Sequence, residues 1–361
     1  MLMRTPGSSF TYILPIKRDD ALGDAELTAY LRRLGAIAQL VVVDASPGPI
    51  FEQHARAWAD FATHVPVAAD IRCANGKARG VLTALPLAAH ELIIIADDDV
   101  RYEPADVDIA AWLLRDAHVL RPQNYFAPLP WHGLWDTGRT LLNRATDGDW
   151  PGTLILRRSA LRVTGGYDGN VLFENFELVQ TIIAAGGTAR LARSLFVRRL
   201  PPTAKHFRGQ RVRQAYDEVA RPARLIVQLT IAPLVLFAMV TGHPIALLFG
   251  ALAVVALAEY GRRRDGGAAV FPARASLFAP LWLAERAACI WIALGWRIFR
   301  GGVPYAGGIL GRAATPMRAL RRRYAGTITS TSIGLNDPLF DSSAEQAVIP
   351  TTSGISARTV K

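Results

Sequence analysis

The chain has 361 residues, enough for one sizeable α/β domain and a smaller region beside it. Its 41 Lys and Arg residues against 30 Asp and Glu give a formal net charge of +11, which suits nucleic acid, an anionic membrane or a phosphorylated ligand without choosing among them. Cys73 and Cys289 are too far apart in sequence to indicate a disulfide framework or a cysteine metal site, so a reducing compartment is expected. Residues 1–16 lack the apolar core of a signal peptide, and we expect a cytosolic N-terminal domain.

Up to Arg221, apolar runs alternate with mixed segments, as in a soluble α/β protein. Helices are predicted over Asp24–Leu34 and Ile50–Thr63. The predicted strands are Tyr12–Ile16, Leu40–Asp44, Leu92–Ala96, Thr153–Leu156 and Arg190–Val197. This alternation predicts a doubly wound, mostly parallel sheet over residues 1–221.

A strongly apolar stretch runs from Leu225 to Ala258 without any Asp, Glu, Lys or Arg. As one helix it would be roughly 51 Å long, more than a hydrocarbon core of about 30 Å requires. Gly242 and Pro244 interrupt it, so we predict a hairpin of two membrane helices over residues 222–260. A spanning hairpin and a shallower re-entrant one both fit, and a soluble core hairpin is the alternative.

Two further segments follow this hairpin. Residues 276–300 are apolar but carry Glu285 and Arg286 at their middle, with tryptophans on either side, so we predict an amphipathic helix in the membrane interface. Residues 325–361 are rich in Ser, Thr and Gly without periodicity, and we predict a disordered tail. Basic residues flank the hairpin and none lies in its link, so the positive-inside rule places both flanks in the cytosol.

Three consecutive aspartates, Asp97–Asp99, directly follow the predicted buried strand Leu92–Ala96. Adjacent carboxylates repel each other unless a cation lies among them. The end of a buried parallel strand is also the edge at which open α/β sheets bind ligands. Hard oxygen ligands suit Mg²⁺ or Mn²⁺, so we predict a divalent metal site here, with a solvated acidic turn as the alternative.

Two other segments carry groups that suit a nucleotide. Asp44 ends a second buried strand and is a candidate for holding a base or ribose, although an aspartate there is often only a cap or turn former. Cys73–Val81 places Lys77 and Arg79 in a glycine-containing turn that opens a helix, where backbone N–H groups and positive charge favour an anion. The Walker spacing is missing, and a solvated basic turn is the alternative.

The remaining candidates lie at helix starts. Glu174 and Glu177 follow a double glycine, and acids at a helix start also favour the helix dipole without any further role. Gln210, Arg211 and Arg213 precede the apolar hairpin, where a basic helix against anionic lipid is the alternative.

In this order, the segments resemble the inverting family 2 glycosyltransferases of the GT-A fold, in the membrane-associated branch with cellulose, hyaluronan and ceramide glucosyl synthases. The resemblance covers roughly residues 11–214. "VVVDAS" resembles the first family aspartate, "NGKARG" the segment that approaches the diphosphate, and "ADDDV" the DxD metal motif with Asp97 and Asp99. "GGYDG…FENFEL" stands where the family has a Gly-Gly-Phe-Asp turn followed by Glu-Asp-x-Asp/Glu-Leu. "QRVRQ" resembles the Gln-x-x-Arg-Trp motif that covers the nucleotide-sugar, with Gln210 and Arg213 in place.

The resemblance implies a GT-A domain on the cytosolic side of the cytoplasmic membrane, followed by a membrane-associated helical region. It implies a UDP- or GDP-sugar donor, a lipid, polyprenyl phosphate or glycan acceptor, and no nucleic acid. Mn²⁺ or Mg²⁺ would bind at Asp97 and Asp99. The implied donor contacts are Asp44, Lys77, Asp97, Gln210 and Arg213.

Two departures from the family pattern concern the chemistry. Gln214 stands where the last motif has Trp, with Tyr216 two residues on. Asn175 stands where the family's general base is an aspartate. Glu174 is the first candidate to replace that base, and an acceptor that needs no base, such as a lipid phosphate, is the second. An inactive relative that binds nucleotide-sugar and acts as a membrane scaffold is the alternative function.

Aromatic residues give one more expectation. Trp131 and Trp135 in "LPWHGLWD" are candidates to stack on an acceptor sugar, with core packing as the alternative.

Arg213 is expected to add positive charge where the leaving diphosphate becomes more negative.

Overall fold

The computed structural model describes residues 10–20 and 23–328. The strands are β1 (Phe10–Ile16), β2 (Gln39–Asp44), β3 (Thr63–Pro66), β4 (Leu92–Ala96), β5 (Val100–Arg101), β6 (Val119–Phe126), β7 (Thr153–Arg157), β8 (Ala189–Arg199), β9 (Val303–Tyr305) and β10 (Gly308–Leu310). The helices are α1 (Asp24–Gly35), α2 (Gly48–Trp58), α3 (Gly76–Ala84), α4 (Pro104–Leu113), α5 (Trp131–Ala145), α6 (Arg158–Val163), α7 (Glu174–Ala184), α8 (Ala204–Gly209), α9 (Arg211–Tyr216), α10 (Pro222–Val240), α11 (Pro244–Arg263), α12 (Ala279–Arg300) and α13 (Met317–Tyr324).

The main sheet has eight strands in the order β3-β2-β1-β4-β7-β6-β8-β5. Neighbours are parallel at β3/β2, β2/β1, β1/β4 and β6/β8, and antiparallel at β4/β7, β7/β6 and β8/β5. Because β4 runs parallel to β1 and β2, their carboxyl ends share one edge of the sheet. The sheet is therefore mixed, with helices packed on it, and the predicted doubly wound α/β class is confirmed.

Residues of β1 alternate between two hydrophobic cores, one on each face of the sheet. Tyr12 and Leu14 are buried against α1, α2 and α4, whereas Ile13 is buried against α3, α7 and α13. Side chains alternate across a strand, so a strand covered on both faces reads as a continuous apolar run. The sheet is therefore doubly wound, as its apolar strands predict.

The five predicted strands are present, and the sequence missed three more in the main sheet, β3, β5 and β6, as well as the hairpin of β9 and β10. The predicted helix Ile50–Thr63 is wrong in its second half: it ends at Trp58, whose carbonyl accepts from the N–H groups of Phe61 and Ala62 in a closing turn. Thr63 then begins β3, which pairs with β2. The missed β6 contains a proline and two polar residues, and its register shifts at Pro122 to form a bulge.

The apolar stretch forms two helices, α10 and α11, joined at Thr241–His243 as predicted. Most of their large apolar side chains are exposed, for example Leu236 and Phe249. Within the described part of the chain, three helices are long and apolar enough to cross a membrane: Pro222–Val240, Pro244–Ala269 and Ala273–Arg300. An apolar surface of this extent indicates contact with a membrane.

The charged residues of α12 face the protein. Glu285 accepts hydrogen bonds from the indole of Trp135 at 2.7 Å and from Arg211 at 2.8 Å, and Arg286 is buried. Leu281 and Ile292 of the same helix are exposed. Helix α12 is therefore amphipathic as predicted, but its outer face is apolar and its charges lie on the inner face.

The chain returns to the α/β domain after α12. The N–H groups of Leu172 and Phe173 donate to the carbonyls of Arg312 and Ala313, at 2.9 Å each. Helix α13 packs on α7, and Ile328 is buried with its N–H bonded to a domain carbonyl. The predicted disordered tail from Ala325 therefore starts too early, and residues 329–361 lie outside the described residues.

Helix α11 lies very close to α5. A Cβ built on Gly261 would lie 2.0 Å from the carbonyl oxygen of Leu141 and 2.8 Å from the amide nitrogen of Ala145. The guanidinium of the buried Arg144 also donates to the Gly261 carbonyl at 3.1 Å. The absence of a side chain at Gly261 thus allows the hairpin to dock on the domain.

We predict that Gly261→Ala destabilises the protein, because a methyl group would force the two helices apart. Such overpacking typically costs about 1–3 kcal/mol. Gly250→Ala on the same helix is the matched control, since no atom lies within 4 Å of a Cβ there. Thermal unfolding of the detergent-purified variants should show a lower midpoint for Gly261→Ala alone. Equal midpoints for the two variants would contradict the close approach.

Candidate active site

A cavity of about 410 Å³ opens at the carboxyl end of β4 and extends to α12. Ligand sites of enzymes commonly have roughly this size. Its wall contains residues from the sheet edge, α7, α8–α9 and α12. Seven of the eight predicted site residues line it: Lys77, Asp97, Asp99, Glu174, Asn175, Gln210 and Arg213.

The three aspartates form a turn between β4 and β5. The Asp97 N–H donates to the Gly152 carbonyl, and the Val100 N–H closes the turn on the Asp97 carbonyl. Strand β5 then pairs antiparallel with β8, with Val100 opposite Arg199. This pairing, which the sequence did not predict, brings a guanidinium to the aspartates.

Cations of the chain itself contact each aspartate. The Arg199 Nε donates to both carboxylate oxygens of Asp99, at 2.9 and 2.8 Å, and Arg199 Nη2 lies 3.3 Å from Asp97. The ammonium of Lys77 is 2.6 Å from the other Asp97 oxygen. Asp98 turns away to Arg18, at 2.9 Å. Internal cations therefore offset the repulsion among the three carboxylates.

The surroundings shift the pKa values of these groups. Burial raises the pKa of Asp99, and this outweighs the opposing effect of the Arg199 guanidinium. Burial lowers the pKa of Lys77, but the charges of Asp97 and Glu174 outweigh it and the net pKa is raised. Lys77 is thus held as a cation in the wall of the cavity.

The residues at the sheet edge fit a divalent metal in their chemistry. Asp97 and Asp99 both line the cavity and offer hard oxygen atoms, which Mg²⁺ and Mn²⁺ prefer. Their oxygens also carry the contacts to Arg199 and Lys77. A metal held by these two carboxylates must therefore share their oxygens with Arg199 and Lys77 or displace them.

The start of α7 provides the two residues at the predicted base position. Glu174 lies 3.3 Å from the Lys77 ammonium and accepts from the Asn75 amide at 3.4 Å. The Asn175 amide donates to the Pro151 carbonyl at 2.9 Å and is nearly buried. Of the two, only Glu174 carries a carboxylate into the cavity.

The basic motif lies on α8 and α9, across the cavity. Gln210 contacts His206, and Arg213 donates to the Gln210 side chain. Tyr216 does not replace the missing tryptophan, because its hydroxyl donates to the Gly311 carbonyl at 2.6 Å outside the cavity. Tyr305 lines the cavity instead, with its ring 5.7 Å from the Arg213 guanidinium.

Asp217 also lines the cavity, and the sequence did not single it out. Burial raises its pKa to about 7, against the lowering effect of Arg213. Groups whose pKa lies near 7 are suited to proton transfer at neutral pH. Asp217 follows Arg213 by four residues in a helical run, so the same-face spacing is the signal that identifies it.

Asp44 lies outside the cavity wall. Its carboxylate is buried and contacts His54 Nδ1 at 2.6 Å, His64 Nε2 at 3.1 Å and the Ser46 N–H at 2.8 Å. Burial raises the Asp44 pKa, but these hydrogen bonds outweigh it and the net pKa is lowered. Ser46 accepts from the backbone N–H of Arg18, which links this cluster to the Asp98 side of the sheet edge.

Asp44, His54 and His64 are a second candidate metal centre, which the sequence did not predict. Their ligand atoms lie within 4.8 Å of one another, and nitrogen and oxygen ligands of this kind suit transition metals. The contacts of 2.6 and 3.1 Å are hydrogen-bond distances, so the cluster is also satisfied on its own.

The two tryptophans predicted to contact the acceptor do not line the cavity. Trp131 is exposed beside His132, and the Trp135 indole donates to Glu285. Trp150 and Trp282 line the cavity in their place.

No protein-family model and no curated protein matches the chain. Among solved structures, it is similar to the mannosyltransferase PcManGT from Pyrobaculum calidifontis, in complex with GDP-Man and Mn²⁺. That likeness has 17% identity and a TM-score of 0.47, and it covers 78% of this chain and 86% of the other.

Glucosyl-3-phosphoglycerate synthase from Mycobacterium tuberculosis, in complex with Mn²⁺, UDP and phosphoglyceric acid, has 16% identity and a TM-score of 0.38, covering 55% of this chain and 73% of the other. S. aureus TarS has 15% identity and a TM-score of 0.37, covering 56% of this chain and 38% of the other. Because all three TM-scores lie below 0.5, we base the functional proposal on the residues of the cavity.

We predict that Arg199→Gln lowers the stability of the metal-free protein by about 1–3 kcal/mol, because it leaves the Asp99 carboxylate without its charged partner. The same change should increase the stabilisation by Mn²⁺, since no guanidinium then competes for the carboxylate oxygens. Thermal unfolding with and without MnCl₂ measures both effects. Arg198→Gln, one residue away on β8, is the control, and an unchanged Mn²⁺ effect in Arg199→Gln would show that no competition exists.

Proposed function

We propose that this protein is an inverting glycosyltransferase that moves a sugar from a nucleotide-diphosphate donor to an acceptor presented at the membrane. The observation that supports this most is that side chains from distant segments of the chain meet in one cavity. Residues from four separate segments, at Lys77, Asp97–Asp99, Glu174 and Arg213, line one cavity at the carboxyl end of a parallel strand. That edge of an α/β sheet is where such folds bind ligands.

In this proposal a UDP- or GDP-sugar lies between the sheet edge and α9. Lys77, Asp97, Gln210 and Arg213 are the proposed donor contacts, whereas Asp44, also predicted as one, is buried outside the cavity. Lys77, as a cation at the start of α3, would approach the diphosphate, and Arg213 would add charge from the opposite wall. Positive charge fixed where the leaving group becomes more negative lowers the barrier to transfer.

Asp97 and Asp99 are the proposed ligands of Mn²⁺ or Mg²⁺. When bound, such an ion acts as a Lewis acid toward the diphosphate. Arg199 donates hydrogen bonds to both carboxylates and so fixes their positions relative to each other.

The arrangement of the apolar helices supports a location at the cytoplasmic membrane, with the α/β domain in the cytosol. Residues on both sides of the hairpin contact the domain: Arg224 pairs with Asp147 at 2.9 Å, and Gly261 packs on α5. Chain segments on both sides of α12 also contact the domain, because Gly138 packs on Ala279 and residues 312–313 bond to the loop before α7. An interfacial α12 is consistent with these contacts, and a crossing α12 is not.

The acceptor is proposed to be a lipid, a polyprenyl phosphate or a glycan. Inverting transfer is a single displacement, and a hydroxyl acceptor must lose a proton to a base. Glu174 is the proposed base, since Asn175 is neutral and bonded to the main chain. Its contact with Lys77 would have to loosen for it to accept a proton.

A catalytically inactive, nucleotide-sugar-binding scaffold is the second candidate. Two observations favour it: Asn175 replaces the family's base, and Arg199 already bonds to the carboxylates of the predicted metal site. A screen of the purified protein against nucleotide-sugars with Mn²⁺ or Mg²⁺ separates the candidates, because only an enzyme releases nucleoside diphosphate.

We predict that Asp99→Asn abolishes transfer and leaves the fold intact, and that excess EDTA has the same effect on the wild type. The reason is that an amide neither holds a divalent cation well nor keeps the charge that Arg199 requires. Product formation and thermal unfolding measure the two properties. Asp98→Asn is the control and should keep most activity, because Asp98 pairs with Arg18 instead. Full activity in EDTA would contradict the metal requirement.

We predict that Glu174→Gln lowers transfer to a hydroxyl acceptor by at least about tenfold while donor affinity changes little. Asp217→Asn is the comparison, since Asp217 is another carboxylate in the cavity and burial raises its pKa to about 7. A loss confined to Asp217→Asn would move the role of base to Asp217. Equal turnover in Glu174→Gln and the wild type would eliminate Glu174.

A further inference from the structure

The end of the cavity farthest from the β-sheet is formed by α12 and the start of α10. We call Arg221, Trp282 and Arg286 the inner wall. Trp282 is 3% exposed and Arg286 is 4% exposed, and both side chains line the cavity. They lie one turn apart on α12, and the Arg286 guanidinium is 5.0 Å from the centre of the Trp282 ring.

Several hydrogen-bond donors of the inner wall have no acceptor among the residues that the structure describes. They are Nη1 of Arg286, Nε1 of Trp282, and Nε and Nη1 of Arg221, all shielded from solvent. Buried donors are almost always paired in folded proteins, so a group of unpaired ones around one cavity requires an explanation. A ligand with several acceptor oxygens provides it.

The charges of the inner wall indicate an anion. Arg139 and Arg211 of the same region form salt bridges to Asp136, and Arg221 pairs with Glu218 at 2.8 Å. Arg286 forms no salt bridge within residues 10–20 and 23–328. A buried guanidinium without a carboxylate partner is costly unless another anion is bound.

The position of α12 indicates the kind of anion. The inner face of the helix carries Trp282 and Arg286, while the adjacent Leu281 and the later Trp291 are exposed on its apolar outer side. A ligand with a charged head and an apolar tail can place its head at the inner face of α12 and its tail along the apolar outer side. The sheet edge, with Lys77 and the aspartates, forms another part of the cavity wall and is left for the donor.

We propose that the inner wall binds the phosphate head of a lipid monophosphate, which is the acceptor. This inference rests on the proposed function and names its acceptor class. An oxygen of the phosphate would attack the anomeric carbon of the donor sugar and form a new C–O bond, while the bond from that carbon to the diphosphate breaks. The nucleoside diphosphate leaves with the electron pair, and the product is a lipid phosphosugar. The attacking oxygen is already ionised at neutral pH, so no base is needed, in agreement with Asn175.

Asp217 does not oppose such a ligand strongly. Asp217 faces Arg213, Arg221 and Arg286, and burial raises its pKa to about 7. Glu218 is a second carboxylate that acts on Arg286, and it is already paired with Arg221 at 2.8 Å. Near neutral pH a large fraction of Asp217 is therefore uncharged.

Binding of farnesyl monophosphate to the full chain in detergent tests the proposal without requiring turnover. Farnesyl monophosphate should bind, and farnesol should not. Arg286→Met should weaken its binding by about tenfold or more, because a charge-assisted contact is lost. Trp282→Phe keeps an aromatic ring but removes the N–H donor with the smaller ring of the indole, and it leaves Arg286 in place, so it should weaken binding by a smaller factor. Arg300→Met, on the exposed part of the same helix, is the control and should bind as the wild type does.

Inorganic phosphate and GDP or UDP distinguish the other sources of the anion. Inorganic phosphate binding as tightly as farnesyl monophosphate would overturn the lipid assignment. Loss of GDP and UDP binding in Arg286→Met, with farnesyl monophosphate binding intact, would assign the inner wall to the donor. If farnesyl monophosphate binds through Arg286 but no nucleotide-sugar is turned over, the inner wall is confirmed and the proposed function fails.

Discussion

Three adjacent carboxylates at the end of β4 require positive charge beside them. Arg199 and Lys77 provide it, and each reaches the site from a different part of the fold. Arg199 depends on the short antiparallel pairing of β5 with β8, and Lys77 depends on the turn that Asn75 caps at the start of α3. The position of Glu174 depends in turn on Lys77. Much of the proposed donor end of the cavity is therefore arranged around this one set of charges.

The apolar helices have a role beyond attachment to a membrane. Helix α12 lies along α5 and α9 and closes the cavity on the side away from the sheet, with its charged residues turned inward. The chain then returns to the α/β domain, where Tyr305 adds to the cavity wall. Residues of the apolar helices and of the α/β domain thus line one cavity, an arrangement that suits the proposed transfer from a soluble donor to a membrane-bound acceptor.

The two ends of the cavity differ in how their charges are balanced. At the sheet edge, carboxylates and cations of the chain pair with one another. At the inner wall, Arg286 forms no salt bridge among the residues that the structure describes, although burial makes an unpaired charge costly. This contrast separates a donor end from an acceptor end within a single cavity, and it agrees with a neutral Asn175 at the position of the base.

The sequence by itself determined five of the eight strands of the main sheet, the break in the apolar hairpin and seven residues that line the cavity. These features are encoded locally, since strands, turns and motifs such as "ADDDV" and "QRVRQ" are written in adjacent residues. Only the tertiary structure decided which groups meet. Arg199 lies 100 residues after Asp99, and its contact depends on a two-residue strand too short to predict. Asp44 is bonded to His54 and His64 and lies outside the cavity. Trp282 and Arg286 line the cavity because α12 packs on the domain. Such contacts between distant segments follow from packing, which local sequence patterns do not contain.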